Sequence, residues 1–230
     1  MTVHILLTGA TRGIGAATRA LLEARGARLF AAGSRDADLS DPAGPQKLWD
    51  LALDRLDGRV DVLINNAGIF ERTPISLPDA DWTEGWERTL RINLDAAAQL
   101  CRFAVRHWLN ANRSGRIVNV ASRAGHRGDS PDHWHYAASK GALLALTKTL
   151  ARGYAGQGIL AFAVAPGFTM TGMADDYLAS RGGPALLADI PLGRVATPEE
   201  IAEAIRWLAL EAPASLTGAT LDLNGASYVR

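Results

Sequence analysis

Apolar residues follow two alternating rhythms along this chain. Short runs in which nearly every position is apolar or β-branched (residues 3–7, 28–32, 60–64, 116–120, 160–165 and 220–223) alternate with longer stretches. In those (15–24, 45–56, 93–110, 136–155 and 198–210) apolar residues return every three or four positions. The first rhythm predicts strands covered on both faces, the second helices. Their alternation predicts parallel strands joined by crossover helices, so the expected fold class is α/β: a single doubly wound parallel β-sheet with helices on both faces. The last helix carries its own start signal, with Thr197 as N-cap, Pro198 at the first helical position and Glu199 and Glu200 in the first turn. Three stretches, 71–84, 123–135 and 169–191, keep neither rhythm and are rich in Gly, Pro, Asp and Trp. Loops leaving the carboxyl ends of such strands form the ligand crevice, so these are the expected substrate loops, 123–135 and 169–191 above all. No repeat or linker interrupts the pattern, and one domain spanning residues 1–230 is expected.

Composition narrows the partners. The 24 Lys and Arg balance the 24 Asp and Glu, so no single-sign field exists to draw nucleic acid or an anionic membrane surface. A small, roughly neutral molecule is the expected partner, with no nucleic acid and no membrane. No apolar run reaches the length of a bilayer, and residues 1–10 pass from a short apolar stretch into a turn without the features of a secretion leader. The only cysteine, Cys101, has no partner for an internal disulfide and reads as a small buried hydrophobe. A cytoplasmic setting is expected.

The strongest chemical signal follows the first strand directly. Thr8-Gly9-Ala10-Thr11-Arg12-Gly13-Ile14-Gly15 places three glycines between a strand and an apolar helix. A turn without side chains lets the backbone approach a pyrophosphate, and the helix N-terminus behind it offers unpaired N–H donors and a favourable dipole. The spacing is Gly-x-x-x-Gly-x-Gly, not the commoner Gly-x-Gly-x-x-Gly; taken alone it also fits an ordinary turn that needs positive φ. Four further motifs follow in order: Asn65-Asn66-Ala67-Gly68, Tyr136-x-x-x-Lys140, Pro166-Gly167-Phe168-Thr169-Met170-Thr171, and Leu216-Thr217-Gly218 through Asn224-Gly225. Together the five resemble the short-chain dehydrogenase/reductase family over nearly the whole chain, in its 3-oxoacyl-[acyl-carrier-protein] reductase-like branch. The resemblance implies a Rossmann-type fold and a nicotinamide dinucleotide cofactor. It also implies an oxidoreductase that interconverts a carbonyl, ketone or 3-oxoacyl in type, and a secondary alcohol by hydride transfer.

The same resemblance implies the cofactor contacts. Gly9, Thr11, Arg12, Gly13, Ile14 and Gly15 form the phosphate end; Asn65, Ala67 and Gly68 pass the adenosine side; Asp38 and Leu39 resemble the acidic-apolar pair beside the adenine. Pro166, Gly167, Thr169 and Thr171 resemble the segment that meets the nicotinamide carboxamide. Past the second strand the chain reads Ala31-Ala32-Gly33-Ser34-Arg35-Asp36. Gly33 occupies the place where an acid would favour NAD, while Ser34, Arg35 and the nearby Arg12 suit a 2′-phosphate, so NADP(H) is expected over NAD(H). The alternative is that Asp36 turns back to the ribose and Arg35 is a solvated charge. The segment from here to Pro45 is also shorter than in many relatives.

Tyr136 and Lys140 stand four apart on a predicted helix and so share a face. A free tyrosine titrates at about pH 10 and a neighbouring ammonium favours its phenolate, moving it toward a useful range for proton transfer. By resemblance Tyr136 is the acid/base, Lys140 also holds the nicotinamide ribose, and Ser122 stabilises and orients the substrate oxygen. By resemblance Asn93 matches the residue that steadies a water linking the lysine to solvent, although the residues alone slightly favour a helix-capping asparagine. Ser130 is the poorer alternative to Ser122. Ser122 and Tyr136 stand one residue further apart than the family pattern, which places a small insertion in 126–135 that would alter the pocket rim.

Other features take plainer readings. His126, His133 and His135 with Asp129 and Asp132 read as a polar loop and not as a metal site. Trp82, Trp86, Trp108 and Trp207 read as core or subunit contacts, and Trp134 as the best pocket candidate because it nearly adjoins Tyr136. A mobile lid is conjectured over 172–189. The helices from Asn93 and from Tyr136 look apolar on more than one face, and the family commonly pairs through them, so a homo-oligomer, tetramer or dimer, is expected. Two alternatives stay open: an NAD-dependent alcohol dehydrogenase of the same family, and a non-catalytic dinucleotide-binding sensor, which would have little reason to keep Ser122, Tyr136 and Lys140 together.

Overall fold

A computed structural model describes residues 2–170 and 183–230 of the chain. In chain order the elements are β1 (His4–Thr8), α1 (Gly13–Ala24), β2 (Arg28–Ala32), α2 (Gly44–Arg55), β3 (Val62–Asn65), α3 (Asp79–Leu90), a π-helical turn (Arg91–Asp95), α4 (Ala96–Asn110), β4 (Gly115–Val120), α5 (Ala124–Arg127), α6 (Trp134–Tyr154), β5 (Ile159–Pro166), α7 (Gly183–Ala188), α8 (Pro198–Leu210) and β6 (Thr220–Leu223). The strands form one parallel sheet in the order β2-β1-β3-β4-β5-β6. Among the described residues no helix is long and apolar enough to cross a membrane.

The alternation of side chains along each strand divides the core in two. Leu6, Leu63, Ile117 and Ala161 face the layer of α2, α4 and α6, where they meet Leu48, Trp49, Leu100, Ala104 and Trp108. Their neighbours Ile5, Leu7, Val62, Ile64, Val118, Phe162 and Val164 face α1 and α8, where they meet Leu22, Ile201, Ile205 and Leu208. A strand buried on both faces has no polar alternation, which is why these runs read as continuously apolar. Cys101 lies in the first layer, fully buried, and burial pushes its thiol up to about 12.

The chain crosses from one side of β1 to the other between β2 and β3, so the switch point of the sheet opens above the carboxyl ends of β1 and β3. The usual doubly wound order places two strands beyond β1 on its first side; here β2 stands there alone, and residues 33–43 lead from it straight into α2. The shortness of that segment in the sequence is a missing strand.

Two expectations need correcting. Residues 71–84 are not irregular throughout: α3 begins at Asp79, behind Pro78 and with Asp79 and Asp81 in its first turn. Its spacing was hidden because Trp82, Trp86 and Thr89 share a face that is only partly apolar and only partly buried. Nor does a helix begin at Asn93. The helix is already under way, and Asn93 sits inside the π turn between α3 and α4, so it caps nothing. Thr171 and most of the conjectured lid, residues 172–182, lie outside the described residues; 183–188 form α7.

The predicted start of α8 is present as a full capping box. Thr197 Oγ1 accepts from the Glu200 N–H at 3.3 Å, and Glu200 Oε2 accepts from the Thr197 N–H at 2.8 Å. Thr197→Ala should lower stability by about 1 kcal/mol, seen as a lower urea midpoint with an unchanged slope; an unaltered midpoint would show that the cap contributes nothing here.

Candidate active site

The site is assembled from the strand ends inward. Thr8, last in β1, accepts through Oγ1 from the N–H groups of Asn66 and Ala67, both at 3.0 Å. Asn66 returns the tie: its Nδ2 donates to the carbonyls of Thr8 at 3.0 Å and Gly9 at 2.9 Å. The glycine turn is thereby held against the segment leaving β3. Gly9 has φ 66°, and a Cβ on Gly15 would lie 2.1 Å from the Gly9 carbonyl oxygen and 2.6 Å from Asn66 Nδ2, so no larger residue fits. Behind this turn α1 starts at Gly13 with its first N–H groups lacking helical partners, and Ile14 packs into the core beneath. A backbone cradle closed to side chains and open to an anion fits a pyrophosphate.

Asn66, rather than Asn65, is the residue of this motif whose side chain ties to the glycine turn. The Asn65 side chain is buried on the α4 side of the sheet, where its Nδ2 reaches Asn119 Oδ1 at 2.9 Å and Cys101 Sγ at 3.2 Å, so it does not enter the crevice. Alternation along β3 decides this, since successive side chains leave opposite faces. Ala67 and Gly68 do border the crevice, on the stretch held by Thr8.

Beyond β2, a Cβ on Gly33 would meet Thr11 Cγ2 at 2.6 Å, so the glycine turn and the end of β2 touch. Asp36 Oδ2 accepts from the Gly33 N–H at 2.8 Å. Ser34 and Arg35 are exposed, as are Thr11 and Arg12, and neither arginine has an ion-pair partner among the described residues. Asp38 accepts from the hydroxyl and N–H of Ser40 at 2.7 and 2.8 Å, bonds that hold its carboxyl below the usual range, and Leu39 packs on the core. At the other end, Pro166 closes β5, the Gly167 N–H donates to Leu223 O, and the largely buried Thr169 donates to Gly167 O at 3.3 Å.

Helix α6 brings in the rest. The Lys140 ammonium is buried and donates to the carbonyl of Val120, the last residue of β4, at 2.8 Å; burial brings it from the ordinary 10.5 down to about 8. Asn93 grips the backbone after Gly68, accepting from the Ile69 N–H at 2.8 Å and donating to its carbonyl at 2.9 Å, and also donates to Ser139 Oγ at 3.3 Å. A Cβ added to Gly68 would stand 3.3 Å from Asn93 Oδ1 and 3.4 Å from Lys140 Nζ, so the two side chains flank that glycine together. Ser122, buried two residues past β4, accepts from the Ala124 N–H at 3.1 Å and so opens α5.

Tyr136 departs from expectation. Burial raises its phenol above 10, opposed by a side-chain hydrogen bond with Ser122, and the Lys140 amine lies 5.8 Å from the ring centre without drawing the phenol down. The shift favours the protonated phenol, the form that can donate a proton. The ring beside it is not Trp134, which is half exposed and meets Trp82 edge-on at 6.2 Å, with Trp82 stacked on Trp86. It is Phe70, edge-on to Tyr136 at 4.7 Å and stacked on His133 at 3.9 Å. The histidines of this loop turn to local partners: His133 Nδ1 to Ser130 Oγ at 2.7 Å and His135 Nε2 to Thr73 Oγ1 at 2.8 Å.

A doubly wound sheet with a glycine cradle at its switch point and a serine, tyrosine and lysine at the mouth is the arrangement of a nicotinamide-dependent oxidoreductase working between carbonyl and alcohol. The model of a family described as "Enoyl-(Acyl carrier protein) reductase" matches residues 19–225. The 3-oxoacyl-[acyl-carrier-protein] reductase of Synechocystis sp. is 36% identical over 242 residues, covering 96% of this chain and 94% of the relative. Those of Vibrio cholerae and Escherichia coli are 34% and 32% identical, each covering 97% of this chain and 96% of the relative. The chain belongs to the short-chain dehydrogenase/reductase family, in the branch similar to 3-oxoacyl-[acyl-carrier-protein] reductases, and is an NAD(P)-dependent oxidoreductase.

The buried amine makes stability depend on pH. Because the folded value of Lys140, about 8, lies below its ordinary 10.5, the folded protein binds fewer protons than the unfolded chain between these values, and stability from this group rises with pH across that window. Compared with Lys140→Met, the wild type should gain roughly 3 kcal/mol across the window, measured by urea unfolding at each pH; parallel curves for the two proteins would refute the depressed value.

Proposed function

We propose that this protein reduces a ketone or 3-oxoacyl-type carbonyl to a secondary alcohol, with NADPH as the preferred cofactor and residues 1–230 acting as one dinucleotide-binding domain. When bound, the reduced nicotinamide supplies the hydride to the carbonyl carbon. Tyr136 gives its phenolic proton to the carbonyl oxygen, and the Ser122 hydroxyl holds that oxygen as charge develops on it. Lys140 stands beside the phenol as the neighbouring positive charge and binds the ribose hydroxyls, while Asn93 keeps the Ile69 backbone and Ser139 of α6 in place. Gly9, Gly13, Ile14 and Gly15 hold the pyrophosphate with Thr11 and Arg12, Ala67 and Gly68 border the adenosine side, and Pro166, Gly167 and Thr169 meet the carboxamide. The relatives named as 3-oxoacyl-[acyl-carrier-protein] reductases support the substrate class. The observation that carries the reading is that Tyr136 meets both the Ser122 hydroxyl, by a side-chain hydrogen bond, and the Lys140 amine, 5.8 Å from its ring, with Lys140 flanking Gly68.

The preference for NADPH rests on charge. Thr11 leaves no room for a side chain at 33, Asp36 is already engaged with the Gly33 N–H, and Arg12 and Arg35 are exposed cations without partners among the described residues. A 2′-phosphate placed there gains from the two guanidinium groups, while the nearest carboxylate, Asp36, is turned to the Gly33 N–H. A homo-oligomer also belongs to this reading: α6 presents the small residues Ala138 and Ala145 to solvent, which suits close approach of a second helix.

Tyr136→Phe should lower turnover by at least about 100-fold while the affinity for NADPH stays within about twofold; undiminished turnover would remove Tyr136 from the chemistry. Arg35→Ala should weaken NADPH binding about tenfold and leave NADH unaffected, and equal effects on both cofactors would overturn the charge argument.

A further inference from the structure

The aromatic pair beside Tyr136 has no part in the fold's core. Phe70 belongs to neither of the two large packing layers, and it remains 36% exposed although one face is covered by His133. Its position is nevertheless fixed from several directions. The Thr73 N–H donates to Asp132 O at 2.8 Å, Arg72 Nη2 donates to Asp132 Oδ2 at 2.6 Å, and Thr73 Oγ1 pairs with His135 Nε2. The loop after β3 and the loop after β4 are thus bound into one unit, with the Phe70–His133 stack at its inner end. The rings are almost parallel, 5° apart, and Phe70 meets Tyr136 at 76°. Burial keeps His133 below its ordinary value, which favours the neutral ring in the stack. A rigid, partly exposed, neutral aromatic surface at a crevice mouth, with no structural task of its own, is the kind of surface that binds the flat part of a ligand.

We infer that Phe70, backed by His133, is the specificity-determining wall of the substrate pocket, and that it fits carbonyl compounds bearing an aryl or other flat unsaturated substituent next to the reacting carbon. This rests on the assignment of Tyr136 as the proton donor. A carbonyl oxygen at the Tyr136 hydroxyl places the substituents of its carbon within about one ring's width of the phenol, and Phe70 is the ring that packs edge-on against that phenol, their centres 4.7 Å apart. Aromatic pairs gain energy beyond simple area burial, so an aryl group gains more from this wall than an alkyl group of equal reach. The insertion between Ser122 and Tyr136 lies in the loop that carries His133, which places the sequence departure and the wall in the same segment.

The test compares a matched pair, an ester of 3-oxo-3-phenylpropanoate and an ester of 3-oxobutanoate, with the full-length enzyme and NADPH. Wild type should favour the aryl substrate, and Phe70→Ala should lower kcat/KM for it about tenfold while changing the alkyl substrate less than about threefold and leaving NADPH affinity unchanged. Phe70→Leu keeps an apolar side chain and guards against a folding defect; it should show the same selective loss with an unaltered melting temperature. Equal losses on both substrates, or a wild type that prefers the alkyl ester, would overturn the wall while leaving the oxidoreductase reading standing. A wild type that reduces neither ester would overturn the carbonyl-reductase reading, and the wall with it.

Discussion

A lysine ammonium taken out of water must find a polar partner, and here the partner is the last carbonyl of a central strand. The bond from Lys140 to Val120 fixes how far α6 slides along the sheet, because breaking it would leave a buried charge without compensation. One turn earlier on the same helix stands Tyr136, and two residues beyond Val120 stands Ser122, so a single contact sets both groups relative to each other. Asn93 completes the frame from the opposite side. Its π turn shifts one side chain out of α-helical register and lets it grip the backbone at Ile69 with both ends of its amide. Such a deviation inside a long helix persists where the surroundings hold it, and here the side chain it presents reaches both the Gly68 segment and α6.

The other half of the crevice is held by a different device. Four hydrogen bonds tie Thr8 and Gly9, at the end of β1, to Asn66 and Ala67, just past β3, and hold the glycine turn in place. On the outer side the sheet is short by a strand, so what would otherwise be a long crossover is replaced by the tight turn of Gly33 and Asp36. That economy leaves Arg35 exposed just past the point where the end of β2 meets the glycine turn at Thr11.

Much of this was legible from residues alone. The strands announced themselves because burial on both faces removes polar residues from them, and residues 28–32 and 220–223 are matched at both ends. Thr197, Pro198 and Glu200 specified a helix start through local hydrogen bonding, which needs no tertiary context. Tyr136 and Lys140 could be paired because helical spacing places them on one face. The failures have a common origin in features that depend on sidedness or on distant contacts. Asn65 and Asn66 differ only in which face of β3 they leave. Trp134 is closer in sequence to Tyr136 than Phe70 is, but helix geometry turns it toward α3, while the loop after β3 delivers Phe70 from 66 positions away in the chain. The π turn has no marker in the local sequence, and the upward shift of the Tyr136 phenol comes from burial that spacing does not reveal.

If the glycine cradle and the Tyr136 end form one crevice for one molecule, the nicotinamide must be reported from inside the protein only when the distant phosphate end is intact. Fluorescence of NADPH titrated into the protein, compared between the wild type and Gly15→Ala, reads this directly, since a Cβ at 15 would lie 2.1 Å from the Gly9 carbonyl oxygen. Saturable enhancement at one nicotinamide per chain in the wild type, abolished in Gly15→Ala, is the expected result. No saturable enhancement in the wild type, or enhancement that survives the substitution, would contradict a shared crevice.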